Sequence, residues 1–225
     1  MSARVALYWA PELDDPLHAL GSAWLGRDAE TGATLPQPTV PGLDLNEITA
    51  EARGYGLHAT LKAPFRFSAP YAEVRDAAMA LAARTRPFAL PPLAPVNLGG
   101  FIALRETEPS TALNAFADAC VGELDRFRLP PTEAEYARRR PERLTPRQRE
   151  LLDRWGYHYV FDEWLFHVTL SRRVGDAERE LLLAAIDAHF GAVLARPRFV
   201  RALCLFTQAA PGAPFLVAER LPLLG

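Results

Sequence analysis

Apolar runs with period two and apolar runs with helical period take turns along this chain, and the order of their alternation occurs twice. Arg4–Trp9 reads as a strand that Pro11 ends. Leu17, Leu20, Ala23 and Trp24 fall at helical spacing, which predicts a helix over Pro16–Leu25 capped by Asp14 or Asp15. A Gly-, Pro- and Thr-rich loop then runs to Gly56, with one short helix predicted near Leu45–Ala52. Leu57–Phe67 reads as a strand and Tyr71–Arg86 as a helix. Phe88–Leu93 and Val96–Leu104 read as strands, with Gly99-Gly100 marking a bend or bulge.

The order then restarts. Ile102-Ala103-Leu104-Arg105 echoes Val5-Ala6-Leu7-Tyr8. Thr111–Phe127 carries Leu113, Phe116, Ala117, Cys120, Val121 and Leu124 on one helical stripe. A polar segment rich in Pro and Arg, Leu129 to Tyr159, holds a predicted helix at Pro146–Trp155, capped by Thr145 with Pro146 in its first turn. Strand Leu165–Ser171, helix Asp176–Phe190 and strands Phe199–Thr207 and Pro214–Arg220 complete the second copy.

Each copy therefore reads strand, helix, insertion, strand, helix, strand, strand. This predicts an α+β fold in which residues 1–225 form a single bilobal domain with a duplicated, pseudo-twofold plan. Two antiparallel-type sheets would enclose a central cleft, with helices outside. Lobe one spans roughly residues 1–97 and lobe two roughly 98–225, and the lobes are free to exchange terminal strands. The insertions, 27–55 and 129–159, fall at the same point of the repeat, so both should flank the same end of the molecule, where loops form or cover a site.

The closest repeat is a tetrapeptide: His58-Ala59-Thr60-Leu61 and His167-Val168-Thr169-Leu170. Residues two apart in a strand share a face. His58, Thr60 and Lys62 are thus expected on one side of the first copy, and His167, Thr169 and Ser171 on one side of the second. The apolar faces suit a core beneath helices. The polar faces need solvent or a cleft, because burying unpaired donors is costly. Near the pseudo-twofold axis, two histidines and two threonines would converge on one cavity.

Such a pair suits in-line displacement at a phosphodiester. A neutral imidazole takes the proton of the attacking hydroxyl or water, and a protonated one gives a proton to the leaving oxygen. Threonine hydroxyls can donate to the nonbridging oxygens. Further substrate-binding candidates are Tyr8 and Arg105 at the ends of the first strands, Lys62 beside His58, and Tyr55 and Tyr157 in the loops before the histidine strands. The run Arg138-Arg139-Arg140, with Arg143 and Arg147, reads as a solvated helix face, with a basic rim for a polyanion as the alternative, and His158 as a residue of the insertion. No metal centre and no cofactor are expected, since no third ligand of suitable type stands at repeat spacing and threonine is a poor ligand.

The two tetrapeptides resemble the paired His-x-Thr/Ser-hydrophobic motifs of the two-histidine (2H) phosphoesterase superfamily. That group includes RNA 2′,3′-cyclic phosphodiesterases and eukaryotic cyclic-nucleotide phosphodiesterases. The longer runs Trp24-Leu25-Gly26-Arg27-Asp28, Tyr55 to Phe65 and Trp155-Gly156-Tyr157 look like one bacterial branch labelled as phosphonate-metabolism proteins. The resemblance covers nearly the whole chain. It implies a bilobal α+β fold, metal-independent chemistry and a phosphoester substrate. The enlarged insertions separate this chain from the RNA-processing members and reshape the cleft. The expected activity is hydrolysis of a small cyclic phosphodiester or nucleotide-like phosphoester. An RNA-end 2′,3′-cyclic phosphodiesterase and a non-catalytic phosphoester-binding or regulatory module are the alternatives.

Composition narrows the partners. A net charge of −2 over 225 residues disfavours a nonspecific nucleic-acid coat or a membrane-surface protein. A small phosphoester is the expected partner, with RNA second and no membrane. The sequence carries no sign of oligomeric state. Cys120 and Cys204 lie in apolar runs and read as buried free thiols, which fits a reducing cytoplasm. Met1–Tyr8 shows no secretion-signal pattern, and no run approaches the roughly 20 apolar residues of a membrane helix.

Overall fold

The computed structural model describes residues 3–225; Met1 and Ser2, the first residues of the segment read as lacking a secretion signal, lie outside the described residues. The first copy comprises β1 (Arg4–Trp9), α1 (Pro16–Leu25), α2 (Leu45–Ile48), α3 (Ala50–Tyr55), β2 (Ala59–Arg66), α4 (Tyr71–Arg84), β3 (Phe88–Leu90) and β4 (Leu93–Leu98). The second comprises β5 (Phe101–Glu106), α5 (Thr111–Leu124), α6 (Glu133–Ala137), α7 (Pro146–Trp155), β6 (Val168–Arg173), α8 (Asp176–Phe190), β7 (Arg198–Val200), β8 (Ala202–Gln208) and β9 (Leu216–Pro222).

Seven strands form an antiparallel sheet in the order β4-β5-β6-β2-β1-β8-β9, and β3 pairs with β7 apart from it. The sheet is thin at its centre. β2 and β6 meet only at Ala59↔Val168, whereas β1 and β8 are paired from Arg4↔Gln208 to Tyr8↔Cys204. Two half-sheets, β2-β1-β8-β9 and β4-β5-β6, thus join at one residue pair. The copies exchange strands: β4 of the first pairs with β5, and β8 of the second pairs with β1. The stretch expected as one strand with a bend is a hairpin. Gly99 and Gly100 have φ of 58° and 106°, and Leu98 faces Phe101. Two successive positive φ values make the two-residue turn that glycine accommodates best.

Helices are exchanged as well. α1 of the first copy lies behind the second histidine strand, where the Trp24 indole donates to the Leu170 carbonyl at 3.0 Å. α5 of the second copy lies behind β2, its stripe from Leu113 to Leu124 buried and its start capped by Ser110. Trp24, Phe166 and Leu170 are fully buried. Truncating such a leucine to alanine costs about 2–5 kcal/mol, so the strands that carry the histidines are stiff from behind.

The first insertion is tied down by a buried arginine. Arg27 donates to the carbonyls of Arg53 at 2.9 Å and Phe215 at 2.8 Å, fixing α3 against the chain entering β9. The second insertion docks through Arg128, which pairs with Asp125 and donates to the Arg154 carbonyl. Cys120 and Cys204 are buried and unpaired. Among the described residues no helix is long and apolar enough to cross a membrane.

Candidate active site

The single pairing at the centre of the sheet builds the site. With Ala59 opposite Val168, the antiparallel register sets His58 across from Thr169 and Thr60 across from His167. Ala59, Val168, Leu61 and Leu170 point back into the core, so period-two alternation turns the four polar side chains to the other face. All four line one cavity of about 560 Å³.

Alternation breaks at the same place in both motifs. Leu61 and Lys62 are both buried, as are Leu170 and Ser171. The pairing of β1 with β2 shifts register at Leu7↔Lys62, and that of β5 with β6 shifts between Phe101 and Ala103. These are β-bulges, in which extra residues on one strand, one on each side of Lys62 on β2 and two on β6, re-aim it. Beyond them Ala63 and Pro64 on one strand, and Arg172 and Arg173 on the other, reach the cavity wall. The bulge overturns the expectation that Lys62 stands beside His58. Its ammonium turns toward the helices, 2.9 Å from Asp125 and 3.3 Å from the Val121 carbonyl. Burial lowers its pKa, and Asp125 opposes that shift. Ser171, at the matching position, stays on the cavity wall with His167 and Thr169 as expected, and accepts the Ile102 N–H at 2.8 Å.

Both imidazoles are anchored alike. Nδ1 of His58 is 2.9 Å from the Gly56 carbonyl, and Nδ1 of His167 is 2.9 Å from the Leu165 carbonyl. A carbonyl only accepts, so each Nδ1 carries the hydrogen and each Nε2 is left for the cavity. Gly56 has φ of 82°, and a Cβ there would lie 2.5 Å from Cβ of Ala29, so this carbonyl can be presented only by glycine.

The surroundings of the two rings differ. Tyr8 stacks on His58 with centroids 3.9 Å apart, and Tyr55 lies at 5.8 Å. His167 meets the edge of Phe101 at 6.0 Å. Burial drives the His58 pKa down to about 4; the Gly56 carbonyl opposes this, and the charge of His167 adds to it. Burial also lowers the pKa of His167, with the Leu165 carbonyl opposing, Arg105 lowering it further and Glu106 raising it.

Tyr8, Tyr55 and Tyr157 line the cavity, the last two contributed by the two insertions. Tyr8 is fully buried, which pushes its phenol pKa well above the ordinary value and leaves it a neutral wall. Arg105 is not its counterpart. Tyr8 faces Thr60, and Ala103 faces Thr169, so Ala103 takes the equivalent place and Arg105 falls two residues farther along. Arg105 pairs with Glu106 at 3.2 Å and stays off the cavity wall. His158 is buried beside Tyr157 and Tyr159, away from that wall.

Sequence reasoning missed Arg4, Phe101 and Arg173, which line the cavity, and gave Arg139, which lines it too, only as part of a basic rim set second to a solvated helix face. A signal for Arg4 existed, since it lies four residues before Tyr8 on the same strand face. Arg139 was hidden in its run. Arg147 is paired with Asp162, Arg143 approaches Glu142, and Arg138 and Arg140 are exposed; Arg139 turns inward. Among the described residues no group of three or more His, Cys, Asp or Glu is placed to hold a metal ion.

Two His-x-Thr strands thus meet over one cavity in an antiparallel sheet of an α+β fold. The chain belongs to the family described as "Protein of unknown function (DUF1045)", which matches residues 60–216. It is 37% identical to a ribose 1,5-bisphosphate phosphokinase PhnN of Janthinobacterium sp. (strain Marseille), over 99% of this chain and 51% of that protein. A protein of the same name from Laribacter hongkongensis (strain HLHK9) is also 37% identical, over 98% of this chain and 52% of the relative. The chain thus spans about half the length of these curated relatives. Among solved structures it is similar to E. coli LigT complexed with 3'-AMP, with a TM-score of 0.49 and 14% identity over the whole of both chains. A structure described as a phosphoesterase gives a TM-score of 0.45 and 14% identity over 99% of each.

Proposed function

We propose that this protein hydrolyses a small cyclic phosphodiester by general acid–base catalysis between His58 and His167. The observation that carries the reading is the matched pair of imidazoles: each Nδ1 is held by its own backbone, and each Nε2 is left for a cavity that two threonines share. In the reaction, one neutral Nε2 removes a proton from water as its oxygen attacks phosphorus. The P–O bond of the ring breaks opposite, and the other imidazole, protonated, gives its proton to the departing oxygen. The products are a phosphomonoester and a free hydroxyl on the same molecule. Thr60 and Thr169 donate to the nonbridging oxygens, where negative charge must be held.

Protonation is coupled to binding. Both imidazole pKa values are lowered by burial, so both rings are neutral near pH 7. A phosphodiester anion between them favours the charged form of a ring and raises its pKa. Binding should therefore take up a proton, and affinity should fall as pH rises through the pKa of the bound state.

The relatives' name supports a ribose phosphate as substrate. Water opening a 1,2-cyclic phosphate of ribose 5-phosphate at the 2-oxygen leaves ribose 1,5-bisphosphate. The kinase of that name gives this chain no better reading. The common phosphate-cradling loop requires Gly-Lys after a glycine-rich turn, this sequence has no Gly-Lys pair, and its cavity holds two imidazoles. We place the activity in a reducing cytoplasm, in keeping with the two unpaired thiols. The test is a screen of cyclic ribose phosphates, nucleoside cyclic phosphates and RNA 2′,3′-cyclic ends. Wild type and the double variant His58→Ala/His167→Ala are run in parallel. Turnover by wild type alone supports the reading. Tight binding without turnover would favour the binding module, and turnover confined to RNA ends would favour the RNA enzyme.

A further inference from the structure

We propose that Arg4 and Arg139 form a second anion-binding subsite beside the histidines, one that takes a phosphate other than the one being cleaved. The proposal rests on the phosphodiesterase reading for what occupies the histidines, and on separate geometry for the second group. The histidine cavity shares a wall with another of about 300 Å³, and Arg4, Tyr55, Pro64 and Arg139 line both.

The arginines lining the two cavities fall into three sets. Arg66, Arg128 and Arg172 are each taken by a carboxylate, those of Glu135, Asp125 and Glu178, and Arg138 and Arg173 have no carboxylate in ion-pair contact among the described residues but are exposed. Arg4 and Arg139, both half-buried, have no carboxylate in ion-pair contact among the described residues. Their guanidinium groups are nevertheless held. Nε of Arg4 donates to the buried Gln208 side chain at 2.8 Å, and its guanidinium lies 5.5 Å from the Phe215 ring centre. Arg139 lies 4.7 Å from the ring centre of Tyr157. A guanidinium already stacked, with terminal N–H groups uncommitted, loses little freedom on binding, and its planar fork matches a phosphate. Glu51, exposed on the same shared wall, suits a sugar hydroxyl and not an anion.

The spacing fits two phosphates on one small body. Arg4 lies four residues from Tyr8 on the same face of β1, and Tyr8 stacks on His58. Strand rise sets these α-carbons about 13 Å apart, and the arginine side chain spans part of that distance. The remaining gap is sugar-sized. The substrate is then a cyclic phosphodiester that bears a second, terminal phosphomonoester.

Ribose 1,2-cyclic phosphate with and without a 5-phosphate tests this directly. Wild type should favour the 5-phosphorylated form by roughly 10–100-fold in kcat/KM, as expected for charge-assisted hydrogen bonds. Arg139→Ala should reduce that preference to within about threefold, mainly through KM, and Arg139→Lys should restore part of it. Equal kcat/KM for the two forms in wild type overturns the subsite, as does a preference that survives both Arg139→Ala and Arg4→Ala. If wild type turns over neither form, the phosphodiesterase reading fails and calorimetry decides the subsite alone. Ribose 1,5-bisphosphate should then bind at least tenfold tighter than ribose 1-phosphate, with the difference lost in Arg139→Ala. Equal binding would sink the subsite.

Discussion

On the β2 side of the cavity the imidazole lies flat against Tyr8, with Tyr55 and Phe206 beyond it; on the β6 side His167 meets only the edge of Phe101 and senses Arg105 and Glu106. The two rings share a backbone solution down to the Nδ1 contact, 2.9 Å in each. Duplication has supplied the geometry twice, and the walls have then made the copies unequal. An aromatic box penalises the charged ring, so His58 stays neutral well into acid, with a pKa of about 4. His167 is lowered too, by burial first; the Leu165 carbonyl and Glu106 oppose this and Arg105 adds to it. Both rings are lowered, but their walls differ, and the base and acid roles are assigned from those walls. Within the proposed reaction, His58 is the base and His167 the acid.

The largest expected effect breaks the pair itself. His58→Ala and His167→Ala should each lower kcat by about 10²–10⁴ on a confirmed substrate. The comparison is sharpened by pH. Loss of the base should remove the acidic limb of a bell-shaped profile, and loss of the acid should remove the alkaline limb. Activity should also persist in excess chelator. Wild-type turnover in both single variants would end the catalytic reading, and an interchange of the two limbs would reverse the assignment.

A second effect reads the aromatic box through stability. The folded His58 pKa is about 4, below its ordinary value near 6.5, so between these pH values the unfolded chain binds more protons. Stability is therefore complete above the unfolded value and is lost as pH falls toward the folded one. The loss is on the order of 3 kcal/mol. His58→Ala should flatten the dependence of denaturation midpoint on pH between about 7 and 4. An unchanged slope would show that the ring is not held neutral by its walls.

The same comparison shows what the sequence could reveal. β1, α1, α7 and α8 match their expected spans because period and caps are local, Asp15 and Thr145 among them. The histidines and threonines were legible for the same reason, since alternation within a tetrapeptide needs no distant partner. Lys62 was not. Its face is decided by a bulge against β1 and by Asp125, which lies 63 residues away. Arg105 failed because the echo between β1 and β5 is displaced by two residues when the strands are actually paired. An exchange of terminal strands was allowed for, but that β4 and β8 are the strands exchanged is a matter of pairing, which no local pattern encodes.

Lys62 against Ser171 supplies the next test, smaller in effect. The two occupy the same bulge, one paired with Asp125 and one bonded to backbone. Lys62→Ala should destabilise the fold by about 2 kcal/mol, less than a fully isolated buried charge would cost, because Asp125 keeps Arg128. Substrate KM should stay near the wild-type value. A KM raised tenfold with an unchanged denaturation midpoint would return Lys62 to the substrate.

The threonines give the smallest effect and the cleanest test of symmetry. Each stands across the strand pair from the other copy's histidine, and each is partly exposed at the cavity wall. Neither hydroxyl is called on to hold the fold. Thr60→Val and Thr169→Val each remove one hydrogen bond to phosphate while keeping the side-chain shape, so each should lower kcat/KM by roughly tenfold, about 1.4 kcal/mol. If the asymmetry of the site lies only in the walls around the rings, the two losses should agree within about threefold. A Thr169→Val loss much greater than that of Thr60→Val would mean that the nonbridging oxygen near His58 carries more of the developing charge. The inequality of the two halves would then extend from proton transfer to phosphate binding.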